Sequence, residues 1–312
     1  MTAQLLSEAF LAAFLVAVLA SALPVLLAAV GETVGEQSGV LGLGMEGLLL
    51  VGGYAAFATA HASGSFWAGF AIGALAGLLL STPLMVLSVW LGVNQIVVGI
   101  GITLLGTGIS SMLYDARFAD SKPRLGAADP WTVPPLSEIP VVGPALFAQP
   151  GMFTIAFVIT ALVSFWLHRT APGLRLRAAG QRPASLDAAG GSVVRTRSLA
   201  VLFGGAMAGL GGAYLALVSA GTFTPGMTHG MGFLAIVVAM LGRGRLRWVV
   251  AISLIYGVFV AAGTALQLTV LALPNDIVTM LPFVAVMVVL ILFARRSTLP
   301  PALAVPYVRG AR

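Results

Sequence analysis

Among the apolar stretches of this 312-residue chain, Glu46, Asn94, Gln95 and Phe223 have the chemistry to meet a polar solute. Glu46 lies in GVLGLGMEGLLLVGG, where an unpaired carboxyl in lipid is expensive and needs a partner or water. It fits a polar pathway, and it equally fits a cytoplasmic helix start, where an acid complements the helix dipole. Asn94 and Gln95, in WLGVNQIVVGIGITLLGTG, either bridge helices or meet the solute. Phe223, in SAGTFTPGMTHGMGF, suits stacking on a base or sugar ring, or a place among interfacial aromatics.

Other chemistries are excluded by residue type. The sequence has no cysteine, which removes disulfides, thiolate nucleophiles and Cys-ligated metal centres. His61, His168 and His229 stand apart, without the paired ligands on one helix that a metal site needs. Lys122, in ADSKPRLG, is the sole lysine, so the phosphate-binding G-x-x-x-x-G-K-[ST] loop is absent. An ATP-driven step therefore needs a separate ATPase subunit to bind the nucleotide, and no cofactor is expected in this chain. With no carboxylate pair, activated serine or His–Cys cluster, no catalytic site is expected either, and the chain is read as a non-enzyme. The net charge of +6 comes from arginines scattered between apolar segments, a topological pattern and not a nucleic-acid footprint.

The elements that hold these residues follow from composition. Hydrophobic residues make up 59% and charged residues 8%, against roughly a quarter charged in soluble domains. Apolar runs recur from Leu5 to Phe293, leaving no room for a separate soluble domain. The expectation is an all-α, polytopic helical bundle forming one transmembrane domain over residues 1–312. Runs near the ~20 residues needed to cross the hydrocarbon give about nine spans, with eight to ten allowed. They cover approximately 5–30, 39–60, 66–90, 92–114, 151–168, 199–220, 230–242, 248–272 and 276–294. The first, lacking basic residues before it and exceeding a signal-peptide core, is read as a retained span. The seventh is too short to cross alone, and the Gly-rich block around Glu46 also reads as a partial helix.

Arginines orient the bundle. Arg169, Arg175, Arg177, Arg182, Arg195 and Arg197, then Arg243, Arg245 and Arg247, then the tail arginines, all fall on one side. That side is cytoplasmic by the positive-inside rule. The Pro-rich loop 115–150 faces outward, which puts the N-terminus outside if all earlier segments cross. Gly69, Gly73 and Gly77, and Gly205 with Gly209, form small-residue seams that allow close helix packing.

GEQSGVLGLGMEGLLLVGG, VNQIVVGIGITLLGTGI, LRLRAAGQRPASLDAAGG and FLAIVVAMLGRGR occur in this order. Together they resemble blocks of the inner-membrane permeases of bacterial ABC importers, in the branch for branched-chain amino acids, simple sugars and nucleosides. The wording of the first block and the loop is nearest the nucleoside permeases. The resemblance implies a solute path near Glu46, Asn94, Gln95 and Phe223. It also implies a cytoplasmic coupling loop over 170–198, with Arg177, Gly180, Arg182, Pro183, Asp187, Ala189 and Gly190 meeting the ATPase. The implied partners are two cytoplasmic ATPases, a second permease and an external binding protein, in the cytoplasmic membrane. Gly42 departs from the branch, which usually has Asn there, and removes a side chain expected to line the path. Simple sugars or branched-chain amino acids are the alternative cargo. A proton- or sodium-coupled secondary transporter, with Glu46 titrating, is the alternative of another class.

Overall fold

Without water to satisfy it, a backbone inside a bilayer must bond to itself, and this chain does so with helices. The computed structural model describes residues 8–132, 134, 136–139, 142–267, 275–293 and 299–307. The expected ends of the first, eighth and ninth spans, at 5–7, 268–272 and 294, lie outside them, as do the tail residues Arg295, Arg296, Arg309 and Arg312.

The helices are α1 (Glu8–Ser38), α2 (Met45–Ser63) and α3 (Phe66–Leu80), the last extended through Thr82–Leu84 and a π-helical Met85–Trp90. Next come α4 (Gln95–Phe118), the short α5 (Val142–Phe147) and α6 (Gly151–Arg169). Two short helices, α7 (Ala171–Gln181) and α8 (Pro183–Ala188), precede α9 (Val193–Tyr214), which ends in a π-helical Leu215–Ser219. The chain then forms α10 (Met231–Gly242), α11 (Leu246–Gln267) and α12 (Asn275–Phe293). In the 115–150 loop, β1 (Pro130–Thr132) pairs antiparallel with β2 (Ala148–Pro150).

The chain is thus an all-α, multi-pass membrane bundle. Six described helices are long and apolar enough to cross a membrane, counting the π-helical extensions. The helices α2 and α12 have 19 residues each and α10 only 12. At the centre α9 packs on α1, α2 and α3, while α1 also carries α10 and α11.

Several boundaries differ from the apolar runs, each for a physical reason. Helix α1 continues to Ser38 rather than stopping near residue 30, because Glu32, Glu36 and Ser38 are buried in protein instead of meeting lipid. It stops at Gly39, whose φ of +92° suits glycine. There Gly39 N–H donates to the Glu36 carbonyl at 2.9 Å and Val40 N–H to that of Gly35 at 3.0 Å, the two bonds of a Schellman cap. Pro24 sits inside α1 and cannot donate to the Ala20 carbonyl. Ser219 Oγ donates to that oxygen instead, at 3.3 Å. Helix α4 runs on to Phe118 because Tyr114 and Phe118 are buried there in a cluster with Tyr54, Phe57 and Phe223.

The glycine seams bring backbones together. Gly73 faces the Gly52 carbonyl of α2, and Gly77 faces Gly205 and Gly209 of α9. Gly69 lies against Ala56. A Cβ on Gly209 would collide with the Gly73 carbonyl oxygen, whereas one on Gly108 would meet nothing within 4 Å. Gly209→Ala is therefore expected to destabilise the bundle by about 1–3 kcal/mol, as overpacking does. Gly108→Ala should leave it unchanged or slightly firmer. Unfolding midpoints of the detergent-purified variants test this, and equal shifts for the two would refute the packing account.

Candidate functional site

Residues 39–46, the turn between α1 and α2 with the first two residues of α2, receive side chains of α1 and α4. Leu41 N–H donates to Gln95 Oε1 at 2.8 Å and Gly42 N–H to Glu32 Oε1 at 2.9 Å. Thr103 Oγ1 donates to the Leu43 carbonyl at 3.1 Å. Gly47 then lies against the backbone of Ile102 and Thr103, and Gly106 against Gly47. A side chain at either glycine would push α4 away from α2.

Glu46, in the first turn of α2, is 8% exposed. Its Oε1 accepts from Thr228 Oγ1 at 2.6 Å and from Gly230 N–H at 2.8 Å, and its Oε2 accepts from Gly232 N–H at 2.7 Å. These amides belong to the start of α10, which has no side-chain cap of its own from Gly230. The first N–H groups of any helix lack intrahelical partners and carry partial positive charge. Glu46 thus caps a short helix that begins inside the protein, and the positively disposed helix end supplies the partner an acid needs there. Gly232 permits the contact, since its Cβ would overlap the Glu46 backbone.

The other expected pathway residues take separate places. Asn94 caps α4, its Oδ1 accepting from Ile96 N–H at 2.9 Å. Gln95 is buried, with Oε1 on the turn and Nε2 without a hydrogen-bond partner. Phe223 is 0% exposed, with its ring 5.6 Å from those of both Tyr54 and Tyr114. Glu46 and Gln95 therefore meet through the turn, while Phe223 belongs to the aromatic cluster and Asn94 to a helix end.

The 170–198 loop holds two short helices broken at Arg182, which has φ −147°. Pro183 starts the second, where its missing N–H costs nothing. Arg182, Ala189 and Gly190 are exposed, Pro183 and Asp187 half-buried. Gly190, at φ +79°, turns the chain back toward α9. An open cleft of about 330 Å³ lies here, lined by Asp187, Gly190, Gly191, Val194 and Tyr307 among others. On the inner face Leu186 packs with Ala179 and Val193. Gly180 is pressed against the backbone of Gln37 and Gly39, and Arg177 is half-buried with Nε unpartnered.

Three buried ionisable residues were not among the expected site residues. Glu32 and Glu36, one turn apart in α1, are both buried, and each has an oxygen without a partner. Glu32 borders a cavity of about 20 Å³ shared with Gly35, Gly42, Ser81 and Gly204, the size of one water molecule. Two acids at helical spacing straight after an apolar run were the available signal. Arg197 was counted among the loop arginines, but it lies inside α9 and is 3% exposed. Charge counting locates a side without revealing what an arginine bonds to.

Glu46→Gln would set an NH₂ group against a backbone N–H, so an apparent loss of about 2–3 kcal/mol is expected, as for hydrogen bonds to charged groups. Thr228→Val removes one of the three donors and leaves both amides on the carboxyl, so it should cost less, about 1.5 kcal/mol. Apparent unfolding midpoints of the two variants check the order, and a Glu46→Gln protein as stable as wild type would dismiss the cap.

Comparison with known proteins agrees with this architecture. The family described as branched-chain amino acid transport system / permease component matches residues 14–294. A putative glucose ABC transporter permease of Haloferax volcanii is 34% identical over 219 residues, covering 69% of this chain and 66% of that protein. A nucleoside ABC transporter permease of Lactococcus lactis is 30% identical over 295 residues, covering 90% and 92%. A guanosine ABC transporter permease of Bacillus subtilis is 28% identical over 298 residues, again covering 90% and 92%. No solved structure matches. With a multi-pass bundle and a match spanning nearly its whole length, this chain belongs to the branched-chain amino acid transport system permease family of ABC transporters.

Proposed function

We propose that this chain is the membrane subunit of an importer for nucleosides in the cytoplasmic membrane. A separate cytoplasmic ATPase drives it, a second permease completes the path, and an external binding protein delivers the solute. The observation that carries the mechanism is the two-faced 170–198 loop. Its outer side exposes Arg182, Ala189 and Gly190 beside an open cleft, while its inner side seats Gly180 on the end of α1. A surface open to a partner and rigidly based on the bundle is what a docking helix requires. When two ATPases close on ATP, the loop moves with them and access to the path alternates. No bond in the solute changes.

The choice of nucleosides is supported by the Lactococcus and Bacillus relatives, which align along about nine-tenths of this chain. The Haloferax relative favours a simple sugar as the second reading. Ion-coupled transport through Glu46 has less support, because that carboxyl is engaged by Thr228, Gly230 and Gly232.

Vesicles holding the assembled transporter should accumulate labelled guanosine or another nucleoside, with unlabelled nucleosides competing and glucose not. Replacing the ATPase partner by a hydrolysis-dead form should abolish uptake. Glucose uptake without nucleoside competition would reassign the cargo, and uptake that persists without hydrolysis would overturn the mechanism.

A further inference from the structure

Arg197 is enclosed by segments far apart in sequence. Its Nε donates to the Ser38 carbonyl at 3.1 Å and Nη1 to that of Val305 at 2.8 Å, while Nη2 donates to Ala179 and Ala302, each at 3.3 Å. Ser38 ends α1 and Ala179 lies in the last turn of α7. Helix C-termini carry partial negative charge, so two of them together can hold a buried cation without a carboxylate. The planar guanidinium presents several donors in fixed directions, a geometry no lysine reproduces.

Residues 299–307 complete the joint. Ala302 N–H donates to the Gly180 carbonyl at 3.0 Å and Ala304 N–H to that of Gly39 at 3.1 Å. This strap is therefore bonded to the 170–198 loop through one residue and to the 39–46 turn through another. Two glycines make the space. A Cβ on Gly39 would stand 2.7 Å from Arg197 Nη2, and one on Gly180 would stand 2.5 Å from the Gln37 carbonyl oxygen.

We propose that Arg197, with strap residues 302–305, is the positioning element that passes movement of the coupling loop to the 39–46 turn. The inference rests on the importer reading above. A displaced α7 carries the Ala179 and Gly180 carbonyls with it. Arg197 and the strap transmit that displacement to Ser38 and Gly39, and the turn leads on to Glu46 and the start of α10. Without the guanidinium, the loop still presents its outer face to an ATPase, but its hold on the turn is reduced to the strap's backbone bonds and packing.

The test uses the full transporter in liposomes with its ATPase and binding protein, reading ATP hydrolysis and uptake together. Arg197→Gln should still assemble and hydrolyse ATP within about twofold of wild type, while uptake per ATP falls about tenfold, a usual size for coupling between linked sites. Arg197→Lys should recover only part of the ratio. A chain ending at residue 298 keeps Arg197 but removes two of its four acceptors, and should uncouple in the same way. An unchanged uptake per ATP in both Arg197→Gln and the truncated chain would overturn the inference, including where uptake and hydrolysis fall in parallel. Hydrolysis-independent uptake by the wild type would instead sink the importer reading, and this inference with it.

Discussion

The bundle depends on one contact, the Glu46 carboxyl against the first amides of α10. A 12-residue helix is about 18 Å long at 1.5 Å per residue, well short of the ~30 Å hydrocarbon thickness. It must therefore begin within the protein, preceded by non-helical backbone. Such backbone is tolerated at membrane depth only when enclosed by protein and satisfied. Glu46 satisfies Gly230 and Gly232 directly and binds Thr228 just before them. An acid that would be a liability in lipid becomes the means of starting a helix there.

The requirement spreads outward from that contact. Glu46 can reach α10 only if α2 starts where it does, which the 39–46 turn dictates. That turn is held by Glu32, Gln95 and Thr103 from two different helices. Close approach then depends on glycine at Gly47, Gly106 and Gly232, where a Cβ would meet a neighbouring backbone. Polar anchoring and small residues thus serve the same end. The anchors supply direction, and the glycines let backbones come near enough for the anchors to bond.

Apolar runs made the helical bundle legible, and Glu46 and the short segment after His229 were legible as irregular places. Their mutual contact was not, because Thr228 and Glu46 are 182 positions apart in sequence and nothing local pairs them. Periodicity and hydropathy also misplaced the end of α1, since both treat polar residues as stops while Glu32 and Glu36 are buried by other helices. Asn94 was conspicuous by type, yet its role as a cap follows from the position of the helix start. Phe223 reads from the sequence as a stacking or an interfacial aromatic, but Tyr54 and Tyr114 from two other helices enclose it.

Gly42 shows how a departure in sequence acquires meaning from its neighbours. If position 42 lined the solute path, losing a side chain there would alter what the path recognises. In the fold it adjoins the cavity enclosed by α1, α2, the end of α3 with its extension, and α9, and a Cβ there would overlap Glu32 Oε2 and approach Met45 Cε to 3.0 Å. The glycine is what allows the Glu32 carboxyl to lie against the turn and accept from Gly42 N–H at 2.9 Å. Glu32 and Gly42 therefore form one unit inside the subunit, and position 42 acts on the packing of the turn and not on a surface open to solute.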